Sequence, residues 1–237
     1  MKRYNAMLET LCANGWAQPH DGLSILAPDA LHLDYRECRD FTCTTGLVAS
    51  VAPKVRCAIG WSLGGTLLME AIVRGGLQAK QLVLIAPPLQ FVASEDFPHG
   101  MDPLIFYQFY QNYRDNPERT ASRFTGLIAK GDRHSRRIMS ELDAWSGSAR
   151  ADIWHPWLDK LNEQSFNEYY YKDIPQTLII HGKNDAIVSI KQSEALAERL
   201  PQVTLRVWDE ASHAVHLHDS AAVLEAIRTH AMEHGLQ

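Results

Sequence analysis

A serine flanked by glycines, in Gly60-Trp61-Ser62-Leu63-Gly64-Gly65, constrains this chain more than any other feature. It stands between Val55-Arg56-Cys57-Ala58-Ile59, a short, mostly apolar run that reads as a strand covered on both faces, and Leu67, Leu68, Ala71 and Ile72, which repeat at helical spacing. A residue in the tight turn between such a strand and helix must adopt strained backbone angles. Only small neighbours two positions to either side leave room for it, and Gly60 and Gly64 are those neighbours. The turn lifts the Ser62 hydroxyl above the sheet edge beside the amide-rich start of the helix, where developing negative charge is favoured. Ser62 is the candidate nucleophile.

A serine hydroxyl is too weakly acidic to react alone, so it needs a base to take its proton and an acid to orient that base. On a strand–turn–helix scaffold both partners belong on loops after later strands, in the chain order serine, acid, histidine. Leu178-Ile179-Ile180-His181-Gly182 is a strand running into a turn, and Asp185 stands where the acid loop should be. Val203 to Trp208 is the next strand, and His213 follows it in Glu210-Ala211-Ser212-His213-Ala214. His216 and His218 are close rivals, but they lean towards the closing helix, whereas His213 comes first and follows small residues. The oxyanion of acyl transfer needs two backbone donors. One is expected from Leu63, the residue after the nucleophile. The other is expected from Trp16 in Asn14-Gly15-Trp16, an early glycine loop directly after an apolar run. This chemistry needs no metal or organic cofactor.

The placement of strands predicts an α/β fold with a doubly wound, mainly parallel sheet. Strand signals run over Met7 to Cys12, near Ala30 to Tyr35, through the strand before Ser62, and over Leu82 to Ile85, Gln176 to His181 and Val203 to Trp208. A closing helix is predicted from about Ser220 to Glu233. From about Phe91 to Tyr171 the strand signal disappears and aromatic-rich helical patterns replace it, with Phe106, Phe109, Tyr110 and Tyr113 on one face. No repeat or flexible linker interrupts the sequence. Residues 1–237 therefore read as one folding unit with a helical lid inserted over about 91–171.

Composition narrows the setting. With 46% hydrophobic residues, the chain has no stretch near the ~18 consecutive apolar residues of a membrane span. Its start lacks the apolar segment of a secretory signal, and a cytoplasmic location is expected. Cys12, Cys38, Cys43 and Cys57 lack metal-type spacing and read as reduced thiols. The net charge of −5 gives no reason to expect nucleic acid or an anionic membrane as partner. Its distribution is uneven: between Arg114 and Arg137 seven basic residues stand against three acids, so this segment carries +4 and the remainder −9. Arg119 and Arg123 are four apart, as are Arg133 and Arg137, which puts each pair on one helix face. Such a stretch is either a solvated surface or a docking patch for an acidic partner.

These residues together resemble a known family. The serine motif, the Asn14-Gly15-Trp16 loop, Gly182-x-x-Asp185 and Ala211-Ser212-His213-Ala214 are similar to the α/β-hydrolase superfamily, and within it to the pimeloyl-[acyl-carrier protein] methyl ester esterases of biotin synthesis. The likeness runs from about residue 12 to the end. Arg119-Thr120-Ala121-Ser122-Arg123-Phe124 resembles the segment with which that family contacts the carrier protein and acyl chain. The resemblance implies a triad of Ser62, Asp185 and His213. It also implies substrate contacts from Trp16, Leu63 and Phe124, and an acidic acyl-carrier protein facing Arg119, Arg123 and Arg136. A monomer is expected. Two features depart from the family pattern: Asn14-Gly15 replaces the usual His-Gly, and the chain begins without the leading β-hairpin, as in a smaller group of carboxylesterases of the same pathway.

Three other readings use the same residues. A broad short-chain carboxylesterase would share the triad but not depend on the arginines. A different hydrolase of the superfamily would act on a thioester, lactone or carbon–carbon bond. A non-catalytic binding module would keep the fold without the chemistry.

Overall fold

The computed structural model describes residues 8–143, 151–163, 165 and 171–236. Six strands form one sheet in the order β2-β1-β3-β4-β5-β6, and every neighbouring pair is parallel. They are β1 (Leu8–Ala13), β2 (Leu31–His32), β3 (Lys54–Trp61), β4 (Gln78–Ile85), β5 (Gln176–Gly182) and β6 (Val203–Trp208). The central strands are apolar on both faces, as a sheet covered by helices on both sides requires: Leu82–Ile85 and Leu178–Ile180 are wholly buried. Met7, the first residue of the expected first strand, lies outside the described residues. The expected strand near Ala30 to Tyr35 shrinks to two residues, because Tyr35 turns inward and its hydroxyl donates to the carbonyls of Asn14 (2.7 Å) and Gly15 (3.1 Å).

Helices α1 (Phe41–Val51), α2 (Leu63–Val73), α7 (Ile190–Ala197), α8 (Val215–His218) and α9 (Ser220–Glu233) connect or close the sheet. Between β4 and β5 lie α3 (Pro103–Asp115), α4 (Pro117–Ile128), α5 (Ser135–Asp143) and α6 (Ala151–Glu163). Asp-Pro and Asn-Pro pairs start the first two of these. Asp102 accepts from the amides of Leu104 and Ile105, and Asn116 from that of Arg119, each with proline at the first helical position, where a missing N–H costs nothing. An aromatic cluster ties this insert to the sheet. Trp16 touches Tyr113 (centroids 4.8 Å), Phe124 (5.2 Å) and Phe109 (5.6 Å), while Tyr35 meets Trp154 and Trp157 edge-on. Such pairs contribute about 0.5–1.5 kcal/mol each beyond the area they bury.

The strand order reverses between β1 and β3, where α/β sheets open a crevice at their carboxyl ends. Ala13 pairs with Gly60 there, so the loop after β1 and the turn after β3 leave the sheet side by side. Close backbone approach makes the glycines of that turn obligatory. A Cβ at Gly64 would lie 2.0 Å from the Ala13 carbonyl oxygen, and one at Gly60 would lie 2.5 Å from the Gly65 backbone. Gly64→Ala is therefore expected to lower stability by about 3 kcal/mol, read as a lower urea midpoint at unchanged m-value. Gly46→Ala is its control, since an added Cβ in that exposed helical position meets nothing within 4 Å, and it is expected to stabilise by up to about 1 kcal/mol.

Candidate active site

Ser62 sits at φ 52° and ψ −122°, a backbone conformation costly for any residue with a Cβ. Among the described residues two more non-glycine residues have positive φ, Ala17 (55°) and Ala86 (47°), and they follow β1 and β4 at the same end of the sheet. Strain is thus concentrated at the carboxyl edge around the crevice. The Ser62 side chain makes no capping bond to α2. The amide of Leu63, first in that helix, has no backbone acceptor among the described residues, as expected of an orphan donor at a helix start, and neither has that of Trp16 in the turn after β1. A Cβ built on Gly15 would stand 3.6 Å from the Ser62 Cβ, which places the Trp16 loop directly against the serine.

Asp185 and His213 emerge from the loops after β5 and β6, adjacent strands whose ends pair at Gly182 and Trp208. His213 Nδ1 lies 2.7 Å from Asp185 Oδ2, and both side chains are buried. All of the carboxylate's acceptor capacity is engaged. Oδ1 accepts from the amides of Ile187 (2.8 Å) and Val188 (2.9 Å), and His181 Nε2 stands 3.2 Å from Oδ2. Burial pushes the Asp185 carboxyl up, but the charge of His213 and hydrogen bonds from His181 and His213 outweigh it, and the group is held below the usual carboxylate range. An ionised carboxylate only accepts, so Nδ1 of His213 carries the proton and Nε2 is left as the basic nitrogen. The same logic puts a proton on His181 Nε2, which faces both Asp185 and the Val188 carbonyl, and leaves its Nδ1 to the Ser193 hydroxyl.

Of the three histidines weighed from the sequence, only His213 pairs with Asp185 among the described residues. His216 is fully buried edge-on against Trp61 (4.5 Å), neither ring nitrogen has a hydrogen-bond partner among the described residues, and burial together with neighbouring His213 pushes its pKa down to about 3. It stays neutral. His218 donates to Asp132 instead. Sequence reading missed Trp61, whose indole N–H donates to the His213 carbonyl at 2.9 Å and so ties the histidine loop to the residue before the serine. It missed His181 as well. A strand histidine two positions before the acid turn is the signal available for it.

The remaining candidates separate into two places. Trp16 and Leu63 are buried at the crevice, and the Trp16 indole donates to the Trp154 carbonyl. Phe124 underlies a shallow groove of about 210 Å³ between α3 and α4, flanked by Ile105, Phe109 and Arg123. Phe124 packs on the Trp16 ring, so the floor of the groove backs onto the loop beside Ser62. Arg119, Arg123 and Arg136 are exposed, and no acid among the described residues pairs with any of them. Arg114, Arg133 and Arg137 are tied to Asp115, Glu210 and Glu141. Asn14, where the resembled family has histidine, is buried, and its amide donates to the Pro19 carbonyl, which closes the loop by a different contact.

The four cysteines are unpaired, and burial pushes Cys57 up to about 12. Among the described residues no three His, Cys, Asp or Glu side chains gather to hold a metal ion, and no helix is long and apolar enough to cross a membrane.

The sequence model of the alpha/beta hydrolase family matches residues 11–226. The chain belongs to the α/β-hydrolase family. Among curated relatives of this α/β hydrolase, the biotin biosynthesis bifunctional protein BioHC of Cellvibrio japonicus is 28% identical over 221 residues. That match takes in 90% of this chain and 44% of the relative, so the hydrolase spans less than half of the bifunctional protein. The pimeloyl-[acyl-carrier protein] methyl ester esterase of Aromatoleum aromaticum is 29% identical over 71% of this chain and 72% of its own length. Among solved structures, an esterase from Exiguobacterium antarcticum superposes with a TM-score of 0.82 at 17% identity, covering 94% of this chain and 91% of the other. At that identity the likeness is one of fold.

Proposed function

We propose that this α/β hydrolase is a serine carboxylesterase that cleaves the methyl ester of an acyl chain carried on an acyl-carrier protein, pimeloyl-carrier in biotin synthesis being the best-supported substrate. The observation that carries the chemical part is the buried 2.7 Å contact between Asp185 and His213, whose loop the Trp61 indole ties to the residue before Ser62. The substrate rests on the esterases among the curated relatives and on the exposed Arg119 and Arg123 of α4 and Arg136 of α5.

In the reaction, His213 Nε2 takes the Ser62 proton as Oγ attacks the ester carbonyl. The Leu63 and Trp16 amides donate to the oxyanion as it forms. The imidazolium, stabilised by Asp185, gives its proton to the leaving methoxide, and methanol departs. Water enters, loses a proton to His213 and attacks the acyl-enzyme carbonyl. Ser62 then leaves with that proton, and a free carboxylate remains on the acyl chain. Arg119, Arg123 and Arg136 orient an acidic carrier, whose charge complementarity sets encounter rate and register more than intrinsic affinity.

The test compares methyl pimeloyl-carrier protein with a small chromogenic ester on wild type and Ser62→Ala. Serine-dependent cleavage of the carrier-bound ester, weakened by salt, is the expected result. Cleavage of the small ester alone would leave a general carboxylesterase, and cleavage of neither would favour another substrate or a binding role. Arg119→Glu/Arg123→Glu is expected to raise KM for the carrier-bound ester about tenfold or more and to leave the small ester within twofold, since reversed charge acts on the carrier alone. Equal loss on both substrates would make the arginines structural.

A further inference from the structure

We infer that Asp132, on the turn between α4 and α5, is a positioning residue for His213, and that Gly131 and Asp132 brace both halves of the Asp185–His213 pair from the insert. This inference rests on the triad reading above. Three acids interrupt the basic stretch of the insert, and Asp132 is the one that is buried, at 6% exposure. Its carboxylate reaches out of the insert. Oδ2 accepts from the Ser212 amide (2.9 Å) and hydroxyl (3.3 Å), and Oδ1 from His218 Nδ1 (2.9 Å) and the His134 amide (2.7 Å).

Ser212 immediately precedes His213, so the bond to its amide fixes the backbone from which the imidazole projects. One residue earlier, the Gly131 carbonyl accepts from Asn184 Nδ2 at 2.9 Å, and Asn184 immediately precedes Asp185. That contact needs close approach: a Cβ on Gly131, at φ +85°, would lie 3.0 Å from the Asn184 Cβ. Arg133 and Arg137 extend the seam. The first donates to the Glu210 carbonyl through its amide (3.2 Å) and the second to the Leu217 carbonyl through its guanidinium (2.7 Å).

A buried carboxylate with four donors is held by charge-assisted bonds and does not reorient freely. Burial raises the Asp132 carboxyl, and the His134 amide, His218 and the Ser212 amide more than offset it, keeping the group ionised. The insert is therefore fastened to the two loops that must hold an imidazole in register with a serine. A misplacement of about 1 Å in such a constellation costs on the order of 10²-fold in rate.

The experiment compares wild type, Asp132→Ala and Asp132→Asn on a small chromogenic ester, which does not engage the arginine patch. In parallel, ¹⁵N-histidine NMR reads the low-field Nδ1 proton of His213, assigned by its loss in His213→Gln. Asp132→Ala is expected to lower kcat about 30–100-fold with KM within twofold, and to broaden or lose that resonance in a protein that still melts cooperatively. Asp132→Asn keeps an oxygen for the Ser212 amide. It is expected to retain the resonance, shifted, with kcat down about 3–10-fold, and it carries the test if the alanine variant does not fold. A folded variant of either kind that matches wild type in both kcat and resonance overturns the brace. Ester cleavage that survives Ser62→Ala would overturn the triad reading instead, and the resonance still decides the brace.

Discussion

Ser62→Ala is expected to lower kcat by about 10⁶-fold, the loss seen when the nucleophile of a serine triad is removed, while leaving the fold intact. The effect divides cleanly because the side chain makes no capping bond to α2, whereas the strained φ of 52° belongs to the backbone and to its glycine neighbours. An alanine fits the same conformation. Ester hydrolysis under single-turnover conditions together with a thermal melt checks both halves. A variant with wild-type kcat would end the nucleophile assignment, and one that fails to fold would show that the hydroxyl has a structural role.

Asp185→Asn is expected to lower kcat about 10⁴-fold by imposing the wrong tautomer on His213. The geometry forces this. The amides of Ile187 and Val188 donate to Oδ1, so the asparagine oxygen must face them and its NH₂ must face His213. Nδ1 then becomes the acceptor, the proton moves to Nε2, and the base is blocked. The same variant has a stability signature. The folded Asp185 carboxyl is depressed below its unfolded value near 3.9, so its contribution is fully present above that pH and is lost as pH falls below it. Urea midpoints measured between about pH 6 and pH 3 should therefore fall less steeply in Asp185→Asn than in wild type. Equal slopes would show that the carboxylate is not stabilised in the folded state.

How much of this was legible follows from the range of the interactions. The serine turn is a local event, specified by Gly60 and Gly64 and by apolar runs on either side, and it reads directly. Strand β5 is a short, largely apolar run and β6 a short run rich in β-branched residues, each followed by a turn, so their positions and the loops carrying Asp185 and His213 follow from pattern alone. The edge strand β2 is different, because its length is decided by the Tyr35 hydroxyl reaching the carbonyls of Asn14 and Gly15 far away in sequence. The choice among His213, His216 and His218 rested on order along the chain, and the physical discriminator is which ring meets a carboxylate of the acid loop. Trp61 and Asp132 join segments some 152 and 80 residues apart. No window of sequence contains both partners of either contact.

The Trp16 ring gives the helical insert a different standing from a detachable flap. One side chain from the β1 loop meets Phe109 and Tyr113 of α3 and Phe124 of α4, and donates to the Trp154 carbonyl of α6. The same loop lies against the serine turn, where a Cβ on neighbouring Gly15 would stand 3.6 Å from the Ser62 Cβ. A foreign insert grafted onto this sheet would leave residue 16 without its sockets, and the loss would register at the serine before any new substrate was bound. Modularity is therefore low at this junction. Substitutions that leave this junction intact belong at exposed positions of α3 that make none of these ring contacts, such as Leu104 (79% exposed) and Tyr107 (62%).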